Sequence, residues 1–302
     1  YIAKDYADEI GNSDEDDLGA ADSYEDWLDK MDEHAWRPCF DALVPGGHIV
    51  VNVSNIISEG KRIPVALDTW KRLEAIGFEL VSDDLWIKPG EPEADDTEKQ
   101  AGFNYPCGAV LIQNPFPRYY TPSPTTEYIW VMKKPGNLSR EKRDCDRIDP
   151  RTVKLNVTQC KRFSPRSAQQ DNHPAPYPNE LPATYIQLLS QKGEVVLDPF
   201  LGTGSTMSAA QLHERSCIGY ELYSRHLPRI IGNKFAEGAV QAGSVPRDTF
   251  MREALKHNLN THSGRGKVMW GQSTLWGGQR RYRIVYANPT PTERGNQEND
   301  DG

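Results

Sequence analysis

The chain has 302 residues, 37% of them hydrophobic and 26% charged, with a formal net charge of −8; that length suits one large core carrying an insertion or an appended module. Its longest apolar stretch, around residues 49–57, is interrupted by Asn52, Ser54 and Asn55 and is far too short to cross a bilayer, and no basic-then-apolar leader points to secretion. Five scattered cysteines, odd in number and without a Cys-x-x-Cys pair, argue against a zinc site or a disulfide framework and for reduced thiols in a cytoplasmic protein.

The chain opens on Tyr1 and an acidic segment: residues 1–33 hold thirteen Asp or Glu against Lys4 and Lys30. Ser23 then has the character of a helix N-cap, with Asp26 three residues on. The helix it opens is expected to run to about residue 43, kinked or split by Pro38. His48–Val53 is a β-branched run that predicts a buried strand. Residues 63–77 predict an amphipathic helix with Val65, Trp70, Leu73 and Ile76 near one face, and 78–87 a further strand. Residues 88–126 are rich in Pro, Gly and acids, with aromatics at Phe103, Tyr105, Phe116, Tyr119 and Tyr120. Tyr128–Met132 is another strand, followed by a polar, weakly periodic stretch. There the charge reverses: residues 133–170 carry eleven Lys or Arg against four acids, and residues 223–283 eleven against three. Affinity for a phosphate backbone depends on where cations sit, so these segments matter more than the negative total. A helix over 179–190, a strand over 194–197, a helix over 206–214 and a strand over 216–221 complete the ordered pattern. Strands alternating with helices predict an open, largely parallel α/β sheet.

The most informative segment is Val195-Val196-Leu197-Asp198-Pro199-Phe200-Leu201-Gly202-Thr203-Gly204-Ser205-Thr206. An apolar strand runs into an acid, then a glycine pair, then a helix. Gly202 and Gly204 permit a tight turn and close backbone approach to a ligand at the carboxyl end of a strand. No lysine follows Gly204 to reach phosphates, and the Asp198 carboxylate would repel a pyrophosphate. A cationic ligand suits the loop better, and S-adenosylmethionine carries both an ammonium and a sulfonium. Glu221 closes the next strand 23 residues after Asp198, the distance at which an acid is placed to accept from ribose hydroxyls.

At these residues the sequence resembles the beta-class amino-methyltransferases of restriction–modification systems. Asp198–Thr206 resembles their cofactor motif, with Asp198, Pro199, Phe200, Gly202, Gly204, Ser205 and Thr206 as the matching cofactor-binding positions. His173-Pro174-Ala175-Pro176-Tyr177-Pro178-Asn179-Glu180-Leu181-Pro182 resembles the helix lead-in that packs over the methionine moiety, which adds His173, Tyr177 and Pro178. The catalytic half precedes the cofactor half, as in that class. The runs 43–55 and 126–132 resemble strands of the catalytic half, and Tyr1–Tyr6 resembles the residues immediately after the catalytic motif Asp/Ser/Asn-Pro-Pro-Tyr/Phe. Tyr1 is then the aromatic residue of that motif or its neighbour, and the polar residue and two prolines before it are not in the chain.

The resemblance implies a Rossmann-like S-adenosylmethionine-dependent methyltransferase fold with a mostly parallel, doubly wound sheet and an irregular target-recognition insertion. It divides the chain into a catalytic half (1–87), a strand with looser target-recognition sequence (88–172), a cofactor half (173–235) and a basic C-terminal extension with a frayed tail (236–302). It implies methyl transfer to an exocyclic amino group of a base flipped out of double-stranded DNA, with cytosine N4 slightly favoured over adenine N6 and a cognate restriction endonuclease as a partner to look for. Tyr1 would receive the flipped base. Alternatives are a catalytically incomplete module that binds cofactor or DNA, and methylation of RNA or of a protein side chain. A permuted arrangement is also open, in which 267–273 and 283–291 stand for the upstream strand and motif, with Asn288 and Pro289 in place of its polar residue and first proline.

Overall fold

In the computed structural model, residues 21–58, 61–88, 116–120, 126–139, 142–163 and 177–221 are described, with the backbone of three strands at 240–243, 271–272 and 282–286. Tyr1, His173, Asn288 and Pro289 lie outside these residues.

Helix α1 (Tyr24–Met31) starts at Ser23, whose hydroxyl accepts the Asp26 N–H at 3.1 Å. It continues through a π-helical segment, Asp32–Trp36, into α2 (Arg37–Ala42), so the expected break at Pro38 is an adjustment of winding rather than an end. Proline lacks an N–H and crowds the preceding turn, and a π-bulge relieves both problems without stopping the helix. Strand β1 (His48–Val53) follows, then a short hairpin of β2 (Ile56–Ser58) and β3 (Lys61–Ile63) that the sequence did not announce. Helix α3 (Val65–Ile76) buries Val65, Ala66, Thr69 and Leu73 in one stripe. Its first turn is met by Asn55, whose Oδ1 accepts the Ala66 N–H at 3.0 Å. Arg72 ties this helix back to the acidic one, pairing with Asp29 at 2.6 Å and Asp32 at 3.0 Å.

Strand β4 (Glu79–Ile87) and β5 (Thr126–Lys133) lead to the short helix α4 (Pro150–Leu155) and to β6 (Cys160–Arg162). These strands form a sheet in the order β1-β5-β4-β6. β1 and β4 both run antiparallel to β5, while β6 is parallel to β4. β1 and β4 are therefore parallel to each other, joined by the α3 crossover, with β5 slotted between them in the opposite sense. This half is consequently more antiparallel than helix–strand alternation alone implies, because β5 arrives after the 89–125 insertion and fills the gap between two parallel strands.

Helix α5 (Glu180–Leu189), β7 (Val195–Asp198), α6 (Ser205–Leu212) and β8 (Ser216–Glu221) make the second half. β7 and β8 are parallel, with Asp198 opposite Gly219. Beyond β8 lie β11 (Tyr282–Tyr286), β9 (Val240–Gly243) and β10 (Gly271–Gln272). β11 is antiparallel to β8, pairing Tyr286 with Cys217. Its carboxyl end thus lies at the amino end of β8. A strand delivering a catalytic motif to the ligand rim must end where β7 and β8 end, so this pairing overturns the permuted reading.

Helix α5 joins the halves. Leu181 and Tyr185, four residues apart on one face, pack with Trp86, Ile129 and Val131 of the first sheet. Ile186, offset around the helix, packs with Leu201, Met207 and Cys217 of the second. The burial of each such side chain contributes about 1.5–3 kcal/mol, so both halves are anchored to one helix.

Candidate active site

The loop after β7 is shaped by its glycines. Gly202 has φ +53° and Gly204 φ +84°, both in the left-handed region where a Cβ is disfavoured by roughly 1–2 kcal/mol. The turn is pinned to β8, because the Leu201 N–H donates to the Tyr220 carbonyl at 2.8 Å. The buried Leu201 side chain lies directly over Gly219, where a Cβ would stand 2.5 Å from its Cδ2. No motif singles out Gly219; its signal in the sequence is only a glycine inside an otherwise well-formed strand.

Asp198 ends β7 and is held by three donors. Its Oδ1 accepts the Phe200 N–H at 2.9 Å, and its Oδ2 accepts the Tyr177 hydroxyl at 3.4 Å. The Thr206 hydroxyl also reaches this carboxylate and lies 2.7 Å from the Tyr177 oxygen, so the two hydroxyl protons are shared among the three contacts. Burial raises the carboxyl above its ordinary value, and these donors oppose that rise. The acid is therefore an oriented group with acceptor capacity to spare rather than a free charge at an open mouth. Two thiols stand close enough to feel it: burial and then the Asp198 charge push Cys39 up to about 12, and the same two causes raise Cys217.

Cys39 comes from α2, and the neighbouring Trp36 meets the Phe200 ring edge-on, with centroids 6.3 Å apart. The first half thus supplies part of the wall around the glycine loop, which no sequence pattern indicated. Phe200 is 41% exposed, an aromatic face left at the loop. Tyr177 packs on the Trp86–Ile129–Val131 cluster while bonding the loop, so it spans the two halves. Pro178 is buried and its carbonyl accepts the Leu181 N–H at 3.1 Å, fixing the entry to α5. Pro199 is part-buried, Ser205 and Thr206 are buried in the first turn of α6, and Glu221 is buried at the end of β8. The structure therefore brings Tyr177, Asp198, Phe200 and Thr206 into one contact set. Glu221 stands on the adjacent strand, two residues beyond the partner of Asp198, roughly 7 Å further along.

The donor set of an S-adenosylmethionine-like ligand can be tested against these groups. Residues 198–214 contain no Lys or Arg. The acceptors at the ends of β7 and β8 are the Asp198 and Glu221 carboxylates. Such a rim suits a ligand that donates hydrogen bonds and carries positive charge, and it does not suit a polyphosphate. Among the described residues, no group of three or more metal-ligating side chains occurs. Nor is any helix among them long and apolar enough to cross a membrane.

Of the remaining residues weighed in the sequence, Trp86 and Trp130 are core side chains whose indole N–H groups donate to the Phe163 and Ala66 carbonyls at 2.9 and 2.8 Å. Asn55 is structural, through its bond to α3. Phe116, Tyr119 and Tyr120 are exposed, with Arg118 between them at φ +81°.

The family model described as DNA methylase, of the N6 and N4 type, matches residues 4–231. Among curated proteins, the type II methyltransferase M.MjaI of Methanocaldococcus jannaschii is 29% identical over 213 residues, and the match spans 66% of this chain and 64% of that protein's length. The DNA modification methylase TTHA0409 of Thermus thermophilus, solved with S-adenosyl-L-methionine, superposes with a TM-score of 0.53 at 25% identity, over 76% of this chain and 79% of that one. The cytosine-N4-specific PvuII DNA methyltransferase superposes with a TM-score of 0.50 over 81% of this chain and 79% of its own, and its 16% identity speaks for the fold alone. With the family model matched along most of its length, the chain belongs to the DNA methylase family of the N6 and N4 type.

Proposed function

We propose that this chain is the methyl-transferring part of an enzyme that uses S-adenosyl-L-methionine to methylate an exocyclic amino group of a base in double-stranded DNA, cytosine N4 slightly ahead of adenine N6. One observation carries the reading: the Gly202–Gly204 turn is built around an acid that Tyr177, Thr206 and the Phe200 N–H hold in a single orientation. When bound, the cofactor supplies an electrophilic methyl group on a sulfonium.

The chain's own residues do the rest. Asp198 and Glu221 are the acceptors for the ligand's donors, Tyr177 and Phe200 are its apolar walls, and the left-handed glycines let the backbone come close. An exocyclic amine is a weak nucleophile because its lone pair is delocalised into the ring, so orientation towards the sulfonium provides much of the rate. Tyr1, the aromatic residue of the family's catalytic motif or its neighbour, is assigned to receive the base. The exposed Tyr119 and Tyr120, and the exposed cations Lys142, Arg147, Arg151, Lys154 and Arg162, are assigned to the nucleic acid. The lean towards cytosine rests on the residues directly after Tyr1.

Calorimetry on the full-length protein tests the cofactor half of this reading: S-adenosylhomocysteine should bind and ATP should not. Mass spectrometry of nucleosides from DNA of cells expressing the gene tests the rest. Finding 4-methylcytosine or 6-methyladenine decides the base, and finding neither refutes the activity.

A further inference from the structure

Asn52 is the fifth residue of β1 and stands on the face of the sheet that carries Val50, the side covered by α5. Its Nδ2 donates to Glu127 Oε2 at 2.5 Å, and Glu127 Oε1 takes the Lys88 ammonium, which also lies 5.1 Å over the Trp86 ring. Because Glu127 accepts, the amide has one sensible orientation: turning it over would set two oxygens against each other. That orientation leaves Asn52 Oδ1 buried without a hydrogen-bond partner. A buried acceptor left unpaired is costly, and native structures keep few of them.

The three residues meet at one rim. Asn52 is next to last in β1, Lys88 directly follows β4, and Glu127 is second in β5, which runs the other way. This is the carboxyl end of β1 and β4, where α/β sheets hold ligands. The same face carries the Trp86–Ile129–Val131 cluster on which Tyr177 packs, and Tyr177 is the residue bonded to the glycine loop. The chemistry of the pair is specific. Lys88 offers an N–H donor and Asn52 Oδ1 an acceptor, both fixed to a single carboxylate. A donor beside an acceptor complements an amino group next to a ring nitrogen, the edge shared by cytosine and adenine. The Lys88–Glu127 pair carries no net charge, so the rim selects by hydrogen-bond pattern rather than by ligand charge.

We infer that Asn52 Oδ1 is the acceptor for the exocyclic amino group of a heteroaromatic base bound at this rim. The inference rests on the function proposed above. It has two sources to separate, the target base of the DNA and the adenine of the cofactor.

The test uses the full-length protein and Asn52→Leu, which keeps the volume and removes both polar atoms. Calorimetry gives dissociation constants for S-adenosylhomocysteine and for a duplex bearing the recognition site. Each is compared with an analogue lacking the amino group, purine for adenine in the cofactor product and 2-pyrimidinone or purine for the target base. The expected result is that N52L weakens one amine-bearing ligand about tenfold or more, while its amine-less analogue binds both proteins within twofold. The arm that moves identifies the source. Both amine-bearing ligands binding N52L within twofold of the parent would overturn the inference.

Should N52L fail to fold, the parent labelled with 13C-asparagine answers instead. The Asn52 carboxamide carbon should shift with one amine-bearing ligand and not with its analogue, and a resonance unmoved by both refutes the assignment. A parent that takes up no S-adenosylhomocysteine at all refutes the proposed function itself, which is a different outcome from a binding parent with an indifferent variant.

Discussion

The Tyr185 hydroxyl, on α5, donates at 2.7 Å to Asp84 Oδ2, on β4, across 101 residues of sequence. Asp84 also accepts the Ser82 hydroxyl at 2.5 Å and faces the Lys161 ammonium at 3.5 Å, and all three of Asp84, Lys161 and Tyr185 are buried. Lys161 in turn donates to the Thr158 and Asn156 carbonyls at 2.7 and 3.2 Å. Burial, and after it the bond to Asp84, hold the tyrosine hydroxyl far above its ordinary titration range, so it stays a donor at any working pH. The contact joins the first sheet, the basic segment and the helix whose lead-in carries Tyr177.

Cutting this network from one side should be far worse than removing it whole. Lys161→Met leaves the Asp84 charge buried, with an expected loss of about 3–5 kcal/mol in unfolding free energy. Tyr185→Phe removes one hydroxyl donor and should cost about 1–3 kcal/mol. The double variant Asp84→Leu with Lys161→Met removes both charges and should recover most of what Lys161→Met loses. Urea unfolding midpoints check the order. A double variant no more stable than Lys161→Met would mean that Lys161 matters through its packing and its carbonyl bonds rather than through Asp84.

The contact between Leu201 and Gly219 gives a second prediction. A methyl group at 219 lies 2.5–2.9 Å from three Leu201 side-chain atoms, and Leu201 is itself buried. Overpacking of this kind typically costs about 1–3 kcal/mol, and here the strain falls on the loop that carries Gly202 and Gly204. Gly219→Ala should lower the melting temperature and weaken S-adenosylhomocysteine binding together. Adding Leu201→Ala should restore some of the binding by making room, though not the lost packing. Unchanged affinity in Gly219→Ala would show that the loop does not depend on this support.

The elements whose residues act locally were legible in the sequence. β1 and β8 have the predicted limits, because each is a short β-branched or apolar run bounded by turn residues. Helix α3 begins two residues later than its periodicity suggests, since Ile63 belongs instead to the hairpin opposite Ile56 and Pro64 sets the start. The turn at Gly202 and Gly204 was readable for the same local reason. Pairing was not. Nothing in Thr126–Lys133 says that it lies antiparallel between β1 and β4, and three-residue β6 sits in a stretch too polar and too short to show a period. The wall that Trp36 and Cys39 make around the loop was hidden for a related reason, as it depends on how α2 packs rather than on any spacing within it.

The cysteines provide a simple readout of that packing. Cys39 and Cys217 are buried thiols with raised pKa, while Cys145 and Cys160 are exposed. The thiolate is the reactive form, so both exposure and pKa point the same way. Pulsed alkylation followed by mass spectrometry should label Cys145 and Cys160 quickly in the folded protein. Cys39 and Cys217 should be labelled only as it unfolds, with the two appearing together if the halves unfold as one unit. Rapid labelling of Cys39 in the native state would contradict its place beside Asp198.

Asp198 makes a pH prediction whose sign follows from linkage. Its carboxyl is raised above the unfolded value of 3.8, chiefly by burial. The native state therefore holds this proton more tightly than the unfolded chain, and stability from this group is complete below the unfolded pKa and lost as pH rises through the native one. Asp198→Asn has no such proton to lose. The difference in unfolding free energy, variant minus parent, should grow as pH rises from about 4 towards neutrality, whatever constant offset the amide introduces through its contacts with Tyr177 and Thr206. Since the other titrating groups are common to both proteins, the slope of that difference isolates Asp198. The same substitution should weaken S-adenosylhomocysteine binding by about tenfold or more, as expected for loss of a charge-assisted acceptor. A variant that gains stability with rising pH while losing affinity would mark Asp198 as a residue kept for its ligand at a cost to the fold. A flat difference across that range would mean that the carboxyl titrates alike in the native and unfolded chains, and that its three donors fully offset its burial.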